Sequence, residues 1–444
     1  MQELVSRLRQ SASAKVTVIG LLVLILLIPL AMIRSVILDR EQTGQAATTY
    51  IQQTWGGDQL LAGPVLVIPY DVVHTTNAGA VFNSRRHFHV LPESLDIDAD
   101  VRAEIRSRGI FEVPVYTSNI KLRGKFPRPD LSQLKVAEDA IDWSGLFVAV
   151  GVTDGRAIAE IPALRLAGEV VRFEPGGNRV AGLPPQIVAP IGKLLQGADR
   201  LAALTFEIEL ALKGSRSLRF LPAGDTTSVA LRSSWPAPSF SGNYLPESHE
   251  IDASGFSARW QVSSIGRTFP SHWTDESGGA VTAEQSSFGV DLYVPISIYR
   301  LTERAAKYGI LFIGLTFVSY FLFEVVAAQR LHPLQYLLVG LANCVFYLLL
   351  ISLAEHIGFG WSYLLSCIAS AALIVAYSRT LLGGRGRALI MAAVLGLLYG
   401  FLYLTLNAET YAMLAGAIGL WAVLAAIMYL TRRIDWYRRP DVPG

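Results

Sequence analysis

Glu324 is the residue whose surroundings most invite chemistry. It stands inside an apolar run, 308–328, where an ionised carboxylate is strongly unfavourable unless paired, so such a group is a functional candidate by default. It would serve either as a step in a proton or ion relay or as half of a structural pair. Arg330 and His332 lie within reach around the next turn, and pairing is the simpler reading. In the RLHP segment at 330–333, Pro333 can open a helix at its first position, where no amide hydrogen is needed. His332 is then either a cap or a contact for a partner. Glu355 and His356 form a second polar pair at the far end of the next apolar block, and no further ligands stand at a spacing that zinc could use.

His87 and His89 share one face of an expected strand, as two metal ligands could, but alternation alone produces that geometry. No metal or other cofactor is expected. The chain contains no GxSxG, SxxK, HExxH or GxxxxGK[ST], which argues against an ATPase and against the familiar hydrolases. Its net charge is +2, with no basic patch interleaved with aromatics, so nucleic acid is not expected as a partner. The two cysteines, Cys344 and Cys367, both lie in apolar blocks and cannot staple the polar part of the chain.

The elements that hold these residues are dominated by five apolar blocks, at 308–328, 334–353, 359–377, 388–406 and 411–430. Each is about 20 residues long, which at 1.5 Å per residue covers the ~30 Å hydrocarbon layer. Backbone groups inside that layer must pair within the segment, so each block is expected to be a helix. Composition agrees, being 52% hydrophobic and 17% charged. A sixth apolar run at 16–33 follows Arg7, Arg9 and Lys15. It is too long for a signal-peptide core and is read as an uncleaved helix reaching about residue 38, with Pro29 giving a kink. Gly396 and Gly400, and the small residues Ala415, Gly416 and Gly419, are expected to let helices approach closely.

Lys and Arg gather in alternate short loops: the N-terminus, Arg330, the group Arg379, Arg385 and Arg387, and the tail. The opposite loops carry none. That bias predicts six crossings with both termini cytoplasmic, and places the long middle region outside the cytoplasm. The middle region alternates strictly. Leu95, Ile97, Ala99, Val101, Ala103 and Ile105 interleave with Asp96, Asp98, Asp100, Arg102, Glu104 and Arg106. Similar runs occur at 204–212 and 288–298, predicting antiparallel sheet with one wet face and a sandwich-like core. Only 131–141 reads as a short helix. The expectation is an α+β membrane protein with one N-terminal and five C-terminal transmembrane helices and a large β-rich periplasmic domain between the first and second. Its parts are 1–38, 39–305, 306–431 and a tail, 432–444.

Several segments resemble the CreD inner-membrane protein family: LLIPLAMIR (26–34), GPVLVIPY (63–70), LPESL (91–95), LTERAAKYGI (301–310), AQRLHPLQYLLVG (328–340), EH at 355–356 and TRRIDWY (431–437). Within 130–285 the likeness is limited to fragments such as SWPAPSF (234–240). The resemblance implies an inner-membrane protein of Gram-negative bacteria concerned with cell-envelope integrity and associated with a two-component stress response. It brings no catalytic residue. A non-enzymatic role is therefore expected, with the lipid bilayer and envelope proteins or cell-wall components as partners. Two alternatives stand beside it: a small transporter or channel using the five-helix block and Glu324, and an envelope hydrolase with a non-standard site. The sequence does not specify an oligomeric state.

Overall fold

The first apolar run does not stop at residue 38. In the computed structural model it opens one helix of 44 residues, α1 (Ala12–Trp55). Nothing in 39–54 breaks a helix: there is no proline and one glycine, Gly44. The helix ends at Trp55, before Gly56 with φ 140°, a conformation that residues with a Cβ rarely adopt. The structure describes residues 12–75, 81–134, 136–195, 204–276, 285–292, 298–326, 331–381, 384–408 and 411–432. It divides into two units, one of Met1–Gln45 with Ile296–Gly444 and one of Ala46–Pro295.

The second unit is built on two sheets. Its early strands are β1 (Gln59–Thr75), β2 (Val81–Val90), β3 (Ser94–Arg108), β4 (Phe111–Phe126) and β5 (Phe147–Val152). Short strands follow: β6 (Ala163–Leu166), β7 (Glu169–Arg172), β8 (Glu174–Gly177) and β9 (Gln186–Pro190). The later ones are β10 (Leu204–Ser215), β11 (Ser217–Phe220), β12 (Thr226–Ser233) and β13 (Pro238–Gly242). The last are β14 (Ser248–Asp252), β15 (Gly255–Ser263), β16 (His272–Thr274) and β17 (Phe288–Leu292). One sheet runs β13-β17-β11-β1-β5-β9-β8, with β2 and β16 branching from β1. The other runs β14-β15-β12-β3-β4-β10-β6-β7.

Inward residues of both sheets, including Ile68 and Val148 from the first and Leu122 and Trp260 from the second, form one buried cluster. That shared core is what a two-sheet packing requires. Alternation holds in β3 from Leu95 to Val101, but Ile105 is exposed. The wet face of the second sheet is a charge ladder, with Arg232 on Asp98 at 2.8 Å and Arg123 on Glu207 at 2.9 Å. Exposed pairs of this kind set register more than they add stability.

Three expectations are corrected. The sheets are mixed, because β1 pairs with β11 and β3 with β12 in parallel. Residues 131–141 form not one helix but two 3-10 turns, Leu131–Leu134 and Glu138–Ala140; so short a segment cannot sustain an α-helix alone. The run expected as strand over 288–298 is strand at Phe288–Leu292, residues 293–297 lie outside the described residues, and Ile298 begins a helix, α2 (Ile298–Lys307). Its buried Tyr299, Thr302, Ala305 and Ala306 recur at three- and four-residue steps, which is a helical face.

The first unit is helical: α1 up to Gln45, α2, α3 (Gly309–Val326), α4 (Pro333–Ile357), α5 (Phe359–Leu381), α6 (Arg385–Asn407) and α7 (Ala412–Thr431). Among the described residues α1, α4, α5 and α6 are each long and apolar enough to cross a membrane, and α2 with α3, bent by 43°, makes up to five. Within α7, Met413–Tyr429 is apolar but shorter. Of the close helix approaches expected, the one at Gly419 is present, and another lies at Gly340. A Cβ at Gly340 would lie 2.1 Å from a Leu26 methyl, and one at Gly419 would lie 2.2 Å from the Phe401 ring. Gly396, Gly400 and Gly416 have nothing within 4 Å of a Cβ.

Candidate functional site

Glu324 is buried near the end of α3 at 6% exposure. Of the two expected cations, His332 is engaged elsewhere, and the cation seen beside Glu324 comes from far away in the sequence. Lys15, in the second turn of α1, ion-pairs with Glu324 Oε1. The Tyr336 hydroxyl of α4 donates to Oε2 at 3.0 Å, and the Leu331 amide donates to Oε1 at 3.4 Å. A cation, a hydroxyl and an amide thus answer both oxygens of the buried carboxyl group. Arg330 lies outside the described residues. His332 does something else: its Nδ1 accepts from the Leu334 amide at 3.2 Å, while Gln335 Oε1 accepts from the His332 amide at 2.9 Å. With Pro333 in the first turn this is a complete capping box, so His332 and Pro333 start α4.

Glu355, in the last turn of α4, accepts from the Tyr299 hydroxyl of α2 at 3.2 Å and has Arg40 of α1 at 3.8 Å. Nearby on α2, Glu303 holds Arg34 and Lys307, each at 3.1 Å. His356 is exposed and takes no part in this pairing. Among the described residues, Glu324, His332, Glu355 and His356 therefore do not converge on one site. Glu324 and Glu355 each pin α1 to a helix of the C-terminal block, one near each end of that block.

In the β unit, His87 and His89 do meet a third group, Asp275. His87 Nδ1 lies 3.1 Å from Oδ2, and the His87 amide donates to the same oxygen at 2.9 Å. His89 Nε2 lies 3.0 Å from Oδ1, its ring stacked on Trp273 with centroids 4.9 Å apart. His89 is 1% exposed, and its Nδ1 has no partner among the described residues. A neutral ring donating from Nε2 leaves a bare Nδ1, whereas a protonated ring would bury an unanswered N–H. Burial accordingly holds His89 below the ordinary imidazole value. Burial alone would raise Asp275, but the hydrogen bonds from His89 and His87 outweigh it and hold the carboxylate below its ordinary value. No group of three or more metal-ligating side chains able to hold an ion occurs among the described residues.

A long apolar first helix, a two-sheet β unit and a block of apolar helices are now in view, with ion pairs tying the first helix to that block. The sequence matches the family model for inner membrane protein CreD over residues 11–437. It is also 36% identical, over 425 residues, to the inner membrane protein CreD of Escherichia coli (strain K12), covering 94% of this chain and 91% of that protein. The chain belongs to the CreD family. It is an inner membrane protein with multiple candidate spans.

Sequence reasoning on this CreD chain missed Lys15, Tyr336 and Asp275. Lys15 is 309 positions from Glu324, and Asp275 is 186 positions from His89. No local pattern marks such pairs. A serine face on α5 was legible and missed: Ser362, Ser366, Ser370 and Ser378 are all buried and fall on one stripe at multiples of four.

Proposed function

We propose that this CreD-family protein is a non-enzymatic component of the inner membrane that supports envelope integrity or the response to envelope stress. In this reading the β unit is an interaction module tethered by the apolar helices that continue the chain at both of its ends. It lies on the periplasmic side, with six crossings, α7 being the sixth, and with both termini in the cytoplasm. The Lys/Arg bias of the short loops supports that orientation.

The observation that carries the proposal is the edge strand β14. All five of its residues, Ser248–Asp252, are exposed, and one side of it pairs with β15 while the other lies at the end of the sheet. The hairpin to β15 is firmly made: Asp252 Oδ1 accepts from the Ser254 amide at 2.7 Å, and Gly255 has φ 146° with no room for a Cβ. Beside it Leu245 is 74% exposed and Ile265 95% exposed. An open edge with apolar side chains next to it suits addition of a partner's strand, where main-chain bonds give affinity and side-chain contacts give selectivity. An envelope protein is the partner class that fits.

In-cell photo-crosslinking from positions 245, 251 and 265 of the full-length protein tests this. A discrete protein partner, absent when the probe sits at position 96 on the charged face, is the expected result. Fragments of glycan or lipid at those positions, together with turnover of peptidoglycan or phospholipid by the purified protein, would instead place it among the envelope hydrolases. Glu324, answered by three donors, supports a pairing role over a relay, and with it a packing role for the helix block over a transport pathway.

A further inference from the structure

α7 is exposed along most of its length, and an apolar groove runs between it and α3 and α6. It consists of two adjoining cavities of ≈ 190 Å³ and ≈ 480 Å³, which share Leu315, Leu397, Leu398 and Val423. On α6 the groove extends from Thr405 to Ile390, roughly 22 Å at 1.5 Å per residue. Its lining is aliphatic and aromatic almost throughout. A simple gap between helices would need nothing more than bulk lipid.

The end at Thr405 is different. Arg304 of α2 directs Nη2 to the Thr405 carbonyl at 3.4 Å, and the Tyr308 amide, whose side chain also lines this end, bonds back to the Arg304 carbonyl at 3.3 Å. Arg304 is half-buried and has no carboxylate in ion-pair distance among the described residues. The acid beside it, Glu303, is already held by Arg34 and Lys307. A guanidinium with no anion among the described residues, at the mouth of a long apolar groove, matches one molecule: phosphate at one end, acyl chain behind it. Arg is suited to that contact because its fixed fork of donors fits phosphate oxygens.

We infer that the groove between α3, α6 and α7 is a binding site for a single phospholipid, whose phosphodiester is held by Arg304 and whose acyl chain lies along Leu397 and Val423. The site is separate from the edge strand of the β unit, so either can fail without the other. Gly416 supplies the means to test it, since it lines the groove and a Cβ there meets nothing within 4 Å. Gly416→Phe therefore carries a ring into the groove from a position where its Cβ meets no neighbour.

The test is native mass spectrometry of the detergent-purified full-length protein, titrated with phosphatidylglycerol or with diacylglycerol of the same acyl chains. The expected result is one phosphatidylglycerol retained per chain under activation that strips diacylglycerol. Gly416→Phe removes that adduct, and Arg304→Gln weakens it about tenfold, the scale of one charge-assisted contact. Should Gly416→Phe not accumulate, Ala393→Phe blocks the other cavity from an exposed position on α6. Equal retention of the two lipids, or adducts unchanged by the blocking variant, would show ordinary annular lipid and overturn the site. Loss with the blocking variant but not with Arg304→Gln would overturn the headgroup assignment.

Discussion

Lys15 of α1 and Glu324 of α3 form an ion pair between residues 309 positions apart. The carboxylate is buried and the ammonium one-third exposed, so the two do not share the burden evenly. Removing the lysine strands a buried charge, whereas removing both charges strands nothing.

The expected ranking follows from that asymmetry. Lys15→Met should lower the thermal midpoint of the detergent-solubilised protein most, by an amount corresponding to about 1–3 kcal/mol. Glu324→Gln, which keeps shape and can still pair with Tyr336, should lower it less. The double variant should recover part of the loss, with a coupling of about 1 kcal/mol. Strict additivity would show that the pair contributes nothing. A Glu324→Gln protein that accumulates fully yet fails to complement a deletion would argue for a relay.

Stability of the β unit should depend on pH through His89 and Asp275. The folded state holds His89 below its ordinary value of 6.5, so the unfolded chain takes up a proton first as pH falls. Stability is complete above about pH 6.5 and declines from there toward the folded value, by at most about 1.4 kcal/mol per pH unit for one group. Asp275, held below 3.8, adds a second loss at more acid pH, where its folded form finally protonates. His89→Gln keeps a donor for Asp275 and does not titrate near neutrality. Hydrogen exchange of the β2–β16 pair, corrected for the intrinsic rate, should show a flatter profile between pH 7 and pH 5 in this variant. An unchanged profile would exclude His89 as the cause.

Arg267 should be one of the least replaceable residues of the β unit. Its Nη1 donates to the Ala223 and Gly224 carbonyls at 3.0 and 2.9 Å, Nε to Phe269 at 3.1 Å and Nη2 to Asp225 at 3.1 Å. Arg267→Leu removes four donations at once, leaving the Ala223 and Phe269 carbonyls without this donor, at a cost of about 3–5 kcal/mol. Arg267→Lys cannot reach so many acceptors and should rescue little. Asp225→Asn, at a half-exposed carboxylate, should cost no more than about 1–2 kcal/mol. Limited proteolysis with increasing urea gives the ranking, and similar midpoints for the Leu and Asn variants would contradict it.

Reporter fusions test the proposed topology. Fusions at 200, 356 and 408 should read as external, and those at 332, 384 and 440 as cytoplasmic. One reversed loop breaks the six-crossing arrangement, because each crossing fixes the side of the next.

The helices of the C-terminal block were legible because a hydrocarbon layer tolerates nothing but long apolar helices. The block read at 334–353 is Pro333–Ile357 in the structure, and that at 388–406 is Arg385–Asn407. The differences lie at the ends, where the hydrogen-bond ladder continues past the last apolar residue. The extension of α1 to Trp55 was not legible, because polar residues such as Gln45 and Thr48 carry no signal unless a helix stops. β3 announced its buried face through Leu95, Ile97, Ala99 and Val101, yet period two says nothing of which strand lies beside it. The partnership of β3 with β12 depends on residues more than a hundred positions away. Among the chemical residues, His332 and Pro333 could be read as a cap from adjacent letters alone. Glu324 could be marked as needing a partner, but not which one.

The parallel pairings bear on how the β unit is made. Synthesis delivers β1 to β4 first, and the hairpins β1–β2 and β3–β4 can close at once, since their partners are adjacent in the chain. The flank of β3 that β12 will occupy stays open until Thr226 has been made, and the stretch of β1 at Gln59–Leu61 waits for Ser217–Phe220. β11 in turn is an edge until Phe288 arrives. A nascent chain of this kind carries unpaired strand edges through most of its synthesis. Its yield should therefore depend on chaperones that shield edges, and truncation after β10 should leave a protein that aggregates rather than a smaller fold.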